Sequence, residues 1–197
     1  MAVSLTTTAA SSLRKRMFST LSVVVEPFRT ETLGCELADR LAGIAVVAGT
    51  MPVAMAPSCH PRRPLPVMVV NGTEDPLVPY DGGPSGVGGS QAALLSVADT
   101  VTKWRTIDGC TGDRVRSLPP VAGDRTATSV ADAVSCRGET QVEVYMVTHG
   151  GHTWPGGNQY LPVSLVGRTT SQFDASEAEW TFFHRHTAGS PDAAIAS

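Results

Sequence analysis

Hydrophobic positions change period several times along the chain, and each change marks an element. Leu33, Leu37, Ala38 and Leu41 recur at helical spacing, and Gly43 stands where a helix would stop, so a helix is predicted over Leu33–Ala42. Ile44–Ala48 is an unbroken apolar run and reads as a buried strand. A connection rich in proline (Pro52, Pro57, Pro61, Pro64) leads to Leu65–Val70, which is short, β-branched and closed by Asn71-Gly72. That is the signature of a second buried strand. The Gly-rich stretch Asp81–Gly89 predicts a loop. Helical periodicity returns over Ser90–Ile107 through Leu94, Val97, Val101 and Trp104. Arg114–Cys136 reads as short extended segments broken by Pro119-Pro120 and Gly123-Asp124, a hairpin-like insert. Val142–Val147 gives a third strand, and Ala175–His186 an amphipathic helix carrying Trp180, Phe182 and Phe183. Helices interleaved with continuous apolar strands predict the α/β class, with a mostly parallel sheet flanked by helices.

The beginning of the chain follows a different pattern. Residues 1–25 contain no Asp or Glu, carry Arg14, Lys15 and Arg16 together, and are rich in Ser and Thr. The apolar stretch Met17–Val25 is short for a secretory signal, and Glu26-Pro27-Phe28 supplies no small-residue cleavage site. This segment is read as an unstructured N-terminus with one short strand at Leu21–Val25. It contains no clear signal peptide.

Composition narrows the function classes. A formal net charge of −3 over 197 residues leaves no basic footprint, so DNA and RNA are disfavoured as partners. No apolar run approaches the ~20 residues of a membrane-spanning helix, and no membrane partner is expected. The four cysteines, Cys35, Cys59, Cys110 and Cys136, contain no C-x-x-C pair and are read as two structural disulfides. Three connectivities are open. Of these, Cys35–Cys59 with Cys110–Cys136 would close two short local loops; four reduced, buried thiols are the alternative.

In an open parallel sheet ligands bind beyond the carboxyl ends of the strands, so the residues just after each strand matter most. Asn71-Gly72-Thr73-Glu74-Asp75-Pro76 puts Asp75 at one such end, and Thr148-His149-Gly150-Gly151-His152-Thr153-Trp154 puts His149 and His152 at another. An acid that precedes a histidine, each on a loop after a strand, follows the chain order of the α/β-hydrolase triad. A carboxylate bonded to one imidazole nitrogen fixes the tautomer and leaves the other nitrogen free to accept a proton from a serine. Taken singly, Asp75 would be a turn residue before Pro76, and His152 a loop histidine. Glu74 and Asp81 compete with Asp75. Zinc held by His149 and His152 ranks below catalysis, because the flexible Gly150-Gly151 spacer does not present both rings on one helix face. Trp154 reads either as a wall for an acyl or aromatic group or as packing beneath the loop.

Several motifs in sequence order then resemble one family. Gly34-Cys35-Glu36-Leu37-Ala38-Asp39, Val47-Ala48-Gly49-Thr50, Gly72 to Gly83, Gly150-Gly151-His152-Thr153-Trp154-Pro155-Gly156-Gly157, and Asp174-Ala175-Ser176 followed by Trp180, Phe182 and Phe183 are similar to the polyhydroxybutyrate depolymerase and feruloyl esterase family. The similarity runs from about Leu33 to His186. It implies an α/β-hydrolase fold, secretion, paired cysteines and hydrolysis of carboxylic esters by a serine triad, with no cofactor and no metal. Asp75 then matches the triad acid and His152 the base; Trp154 matches a residue lining the substrate side, and His149 stands where the family commonly has glycine.

The family's G-x-S-x-G nucleophile motif is absent from the 197 residues. Ser85 and Ser90 sit in a loop with no preceding strand, and Pro84 spoils the elbow geometry; Ser19 and Ser22 remain as unorthodox nucleophiles. The expectation is therefore a partial α/β-hydrolase with its N-terminal strands missing or replaced. Residues 1–32 fall outside the family pattern, 33–187 form the C-terminal part of the hydrolase domain, and 188–197 form a disordered tail. The resemblance implies an extracellular protein acting on a polyester or hydroxycinnamoyl ester; the competing readings are a non-catalytic polyester- or polysaccharide-binding remnant and a truncated gene product. The strand at Ile44–Ala48 would be an uncovered edge, open to homodimer formation, unless residues 1–32 cover it.

Overall fold

The computed structural model describes residues 22–23, 27–86 and 92–187. The tail predicted over 188–197, most of the 1–26 segment and the tip of the Gly-rich loop lie outside the described residues. The sheet starts with β1 (Ser22–Val23), which pairs parallel with β2 (Ile44–Val47) through Ser22 opposite Ala45 and Val23 opposite Val46. The segment before residue 33 therefore supplies a short strand along the edge of β2.

Between these strands runs α1 (Pro27–Leu37), continued by a 3₁₀ turn at Ala38–Arg40. The helix begins six residues before the predicted Leu33. Proline suits the first helical turn because its missing N–H would have no partner there. The polar run Arg29-Thr30-Glu31-Thr32 concealed this start. Thr30 and Glu31 are buried, contrary to what an apolar-face pattern leads one to expect.

Next come β3 (Val67–Gly72) and a two-stranded ribbon of β4 (Gly83–Pro84) and β5 (Ala93–Leu94). Helix α2 spans Val97–Asp108, shorter than the predicted Ser90–Ile107. Its start is set by Ser96, whose Oγ accepts the Asp99 N–H at 2.9 Å, and its end by Gly109 at φ 64°, a left-handed cap. The hairpin-like insert forms β6 (Gly112–Ser117) and β7 (Ala127–Val134), paired antiparallel. β7 continues antiparallel against β8 (Val142–Thr148), and β8 runs parallel to β3. A short helix α3 (Val163–Val166) and the long α4 (Ala175–Thr187) complete the chain.

Among the described residues the main sheet has six strands in the order β1-β2-β3-β8-β7-β6. Its first four strands are parallel and its last two antiparallel, so the hairpin extends the sheet instead of standing outside it. Alternate side chains of β2 and β3 feed two apolar layers. Ile44, Val46, Val67 and Val69 pack with Trp104 on the α1 and α2 side. Ala45, Val47, Met68 and Val70 pack with Phe182 and Phe183 of α4 on the other. Burial on both faces is why these strands read as continuous apolar runs.

Both disulfides join local loops, Cys35 to Cys59 and Cys110 to Cys136. This is the pairing of the two short loops among the three open connectivities, and the reduced-thiol alternative does not apply. No helix among the described residues is long and apolar enough to cross a membrane.

Candidate active site

The parallel register of β3 and β8 sets Gly72 beside Val147, so the chain leaves both strands at the same edge of the sheet. The two exits are joined by main-chain bonds. Thr73 N–H donates to the Val147 carbonyl at 3.0 Å, and Glu74 N–H to the Gly150 carbonyl at 2.8 Å. Gly72 is required here, since a Cβ at that position would strike the Gly150 carbonyl.

Asp75 and His152 meet as a result. His152 Nδ1 lies 2.9 Å from Asp75 Oδ2, with the acid's side chain fully buried and the imidazole 13% exposed. The other oxygen, Asp75 Oδ1, accepts the Leu77 and Val78 N–H groups at 2.8 Å each. Three bonds fix the carboxylate plane, and with it the ring it holds.

The main chain of His152 is clamped by a segment that sequence reasoning missed. His152 N–H donates to the Val166 carbonyl at 2.6 Å, and the Tyr160 hydroxyl donates to the His152 carbonyl at 2.8 Å. Gly151 N–H donates to the Arg168 carbonyl at 2.9 Å, and the Thr153 hydroxyl to the same oxygen at 3.1 Å. Gly151 itself packs main chain to main chain against Val166 and Gly167, leaving no room for a Cβ. The Gln159 side chain closes the segment on itself: its Nε2 donates to the Leu161 carbonyl at 2.8 Å and the Gly167 carbonyl at 3.0 Å, while its Oε1 accepts the Thr169 N–H at 3.0 Å. Burial, reinforced by the negative charge of Asp75, raises the Tyr160 phenol above its ordinary range.

Glu74 and His149 form a second, exposed pair. His149 Nδ1 lies 2.6 Å from Glu74 Oε1, and Arg168 reaches Glu74 Oε2 at 3.1 Å. The hydrogen bond to His149, aided by the positive charge of Arg168, holds the Glu74 carboxyl below its usual range. His149 stands at φ 60°, in the left-handed region that favours glycine. Its backbone N–H is satisfied by Thr73 Oγ1 at 2.9 Å. The two histidines thus take separate carboxylates instead of converging. No group of three His, Cys, Asp or Glu side chains is arranged to hold a metal ion among the described residues.

Trp154 is half-buried, packs against the α4-side core and donates from Nε1 to Ser176 Oγ at 3.1 Å. Ser85 lies in the β4–β5 ribbon region and is buried; Ser19 and Ser90 lie outside the described residues, and Ser22 belongs to β1. No serine hydroxyl is bonded to the His152 ring among the described residues, whose ring contact is Asp75. The arrangement supplies an oriented acid–imidazole pair able to take and return a proton at Nε2.

No protein-family profile matches the chain. Two curated proteins resemble it. Putative esterase NocK of Nocardia uniformis subsp. tsuyamanensis is 31% identical over 158 residues, which is 76% of this chain and 46% of that protein. Feruloyl esterase B of Piromyces equi is 29% identical over 122 residues, 60% of this chain and 22% of that protein. The chain spans less than half the length of either relative. With a mixed α/β sheet covered by helices on both faces, it is a distant homologue of esterases.

Proposed function

We propose that residues 33–187 belong to an α/β-hydrolase domain of a secreted carboxylic ester hydrolase, with Asp75 as the acid and His152 as the base of a Ser-His-Asp mechanism. The observation that carries this reading is the 2.9 Å contact between His152 Nδ1 and a buried Asp75 whose other oxygen is already saturated by main-chain N–H groups. A carboxylate bonded at Nδ1 keeps the proton there and leaves Nε2 as the acceptor. In ester cleavage Nε2 takes the proton of an attacking hydroxyl and returns it to the leaving alcohol, while Asp75 stabilises the imidazolium. Trp154 lines the substrate side, and the substrate is a hydroxyacid polyester or a hydroxycinnamoyl ester. Two disulfides favour an oxidising, extracellular setting.

A second reading is binding of a polyester or polysaccharide without turnover, favoured by the missing G-x-S-x-G motif. A fluorophosphonate probe combined with an aryl ester assay separates the two. Covalent labelling that His152→Ala abolishes, together with turnover, supports hydrolysis. An unlabelled, inactive chain that is retained on polyhydroxybutyrate or feruloylated xylan beads supports binding and rejects hydrolysis.

A further inference from the structure

The segment that clamps His152 has a second side. Residues 153–167 contain no Asp, Glu, Lys or Arg. Of the eight large hydrophobic side chains exposed among the described residues, four fall within six consecutive positions: Tyr160 at 56%, Leu161 at 44%, Val163 at 45% and Leu165 at 56%. Solvent exposure of contiguous apolar side chains is unfavourable and marks surfaces that are covered in use. This surface is held in place by the three Gln159 bonds and by the 2.6 Å bond from His152 N–H to the Val166 carbonyl. The segment that carries these apolar side chains is therefore tied by hydrogen bonds to the main chain of the residue that bears the imidazole.

We propose that the uncharged strap of residues 159–166 is the substrate-contacting rim of the Asp75–His152 site, and that Leu161, Val163 and Leu165 select a neutral, apolar ester over an anionic one. The inference rests on the hydrolase reading for what the imidazole acts upon. The occupant is set by charge as well as by position: a carboxylate-bearing ligand laid on this rim would lose hydration without meeting a fixed cation on it, whereas the body of a neutral ester loses little. Tyr160 acts on both sides of the strap. Its hydroxyl positions the His152 carbonyl at 2.8 Å, and its ring extends the apolar surface.

The test uses the full chain with methyl-labelled Leu and Val, titrated with ethyl 4-hydroxybenzoate and separately with the anion 4-hydroxybenzoate. The expected result is saturable shifts at the Leu161, Val163 and Leu165 methyls and at the His152 amide with the ester, and binding of the anion weaker by about tenfold or more. Because the three side chains are exposed, the triple variant Leu161→Ser, Val163→Ser, Leu165→Ser keeps the fold and loses ester affinity by about tenfold or more. Equal affinity in that variant, or shifts confined to other regions, overturns the proposal. Shifts of the same methyls on raising protein concentration without ester, with a dimer in sedimentation, overturn it in favour of a second copy as the occupant. The two readings fail separately. Ester bound on the rim without turnover rejects hydrolysis and keeps the rim; turnover unchanged in the triple variant rejects the rim and keeps hydrolysis.

Discussion

Glu31 carries a proton that the rest of the fold makes hard to release. It is fully buried on α1; its Oε2 accepts the Trp104 indole N–H at 2.7 Å, and its Oε1 has no partner among the described residues. Burial raises its pKa from 4.5 to about 7, against the opposing effect of the indole hydrogen bond. Between these values the unfolded chain ionises the side chain while the folded chain keeps it protonated. The folded state then binds more protons, so stability falls as pH rises from about 4.5 to about 7 and levels off above. At about 1.36 kcal/mol per pH unit, the full loss is roughly 3 kcal/mol. Glu31→Gln keeps an acceptor for Trp104 and cannot ionise. Its stability relative to wild type should therefore change little between pH 3.5 and 4.5 and rise by up to about 3 kcal/mol at pH 8. For a chain of this size that corresponds to roughly 6–12 °C in melting temperature. Urea unfolding followed by tryptophan fluorescence, run on both proteins at intervals from pH 4 to 8, measures the difference directly. Other titrating groups are common to both proteins and cancel. A difference that is flat across this range refutes the argument.

Three further outcomes follow from the site and its supports. Asp75→Asn should remove the bond that holds the Nδ1 proton of His152 and cost about 1–3 kcal/mol; loss of the protected imidazole N–H signal in ¹H–¹⁵N spectra, with a lower denaturation midpoint, checks it. Gly72→Ala drives a Cβ into the Gly150 carbonyl and should destabilise by at least about 1–3 kcal/mol; an unchanged thermal midpoint would count against the close approach of the two loops. Replacing Cys35 and Cys59 with serine should cost about 2–4 kcal/mol, read from the urea midpoint and set against the wild type under reducing conditions.

The parts of this architecture legible in the sequence were those that bury one kind of residue in one period. Ile44–Val47, Val67–Val70 and the Phe182-Phe183 helix announce themselves because both faces of the sheet are covered and the helix has an apolar side. The meeting of Asp75 with His152 was legible because parallel strands place their exits together, and a turn residue and a loop histidine then become neighbours 77 positions apart. The start of α1 was hidden by Thr30 and Glu31, polar residues buried through tertiary contacts that no local pattern encodes. The direction of β6 and β7 within the sheet depends on pairing partners across the sheet, which alternation alone does not specify. The strap around His152 is silent in the sequence for a similar reason. Tyr160 and Gln159 act through side-chain bonds to main-chain atoms, and such bonds leave no periodicity behind.

The disulfides give the molecule an unequal pair of flanks. Cys35–Cys59 fastens α1 to the chain after β2, and Cys110–Cys136 fastens the end of α2 to the chain after β7, and all four cysteines border the α1 and α2 core layer. The opposite layer is closed by α4 through Phe182, Phe183 and the Arg185–Glu143 ion pair, with no covalent link among the described residues. Opening should therefore be sequential: amide hydrogen exchange releases α4 first, at a free energy below that of global unfolding, and α2 last. Because Trp154 is bonded to Ser176 at the head of α4, the loop bearing His152 would loosen with that helix. The stapled flank would act as the anvil of the fold and the flank behind the imidazole as its hinge.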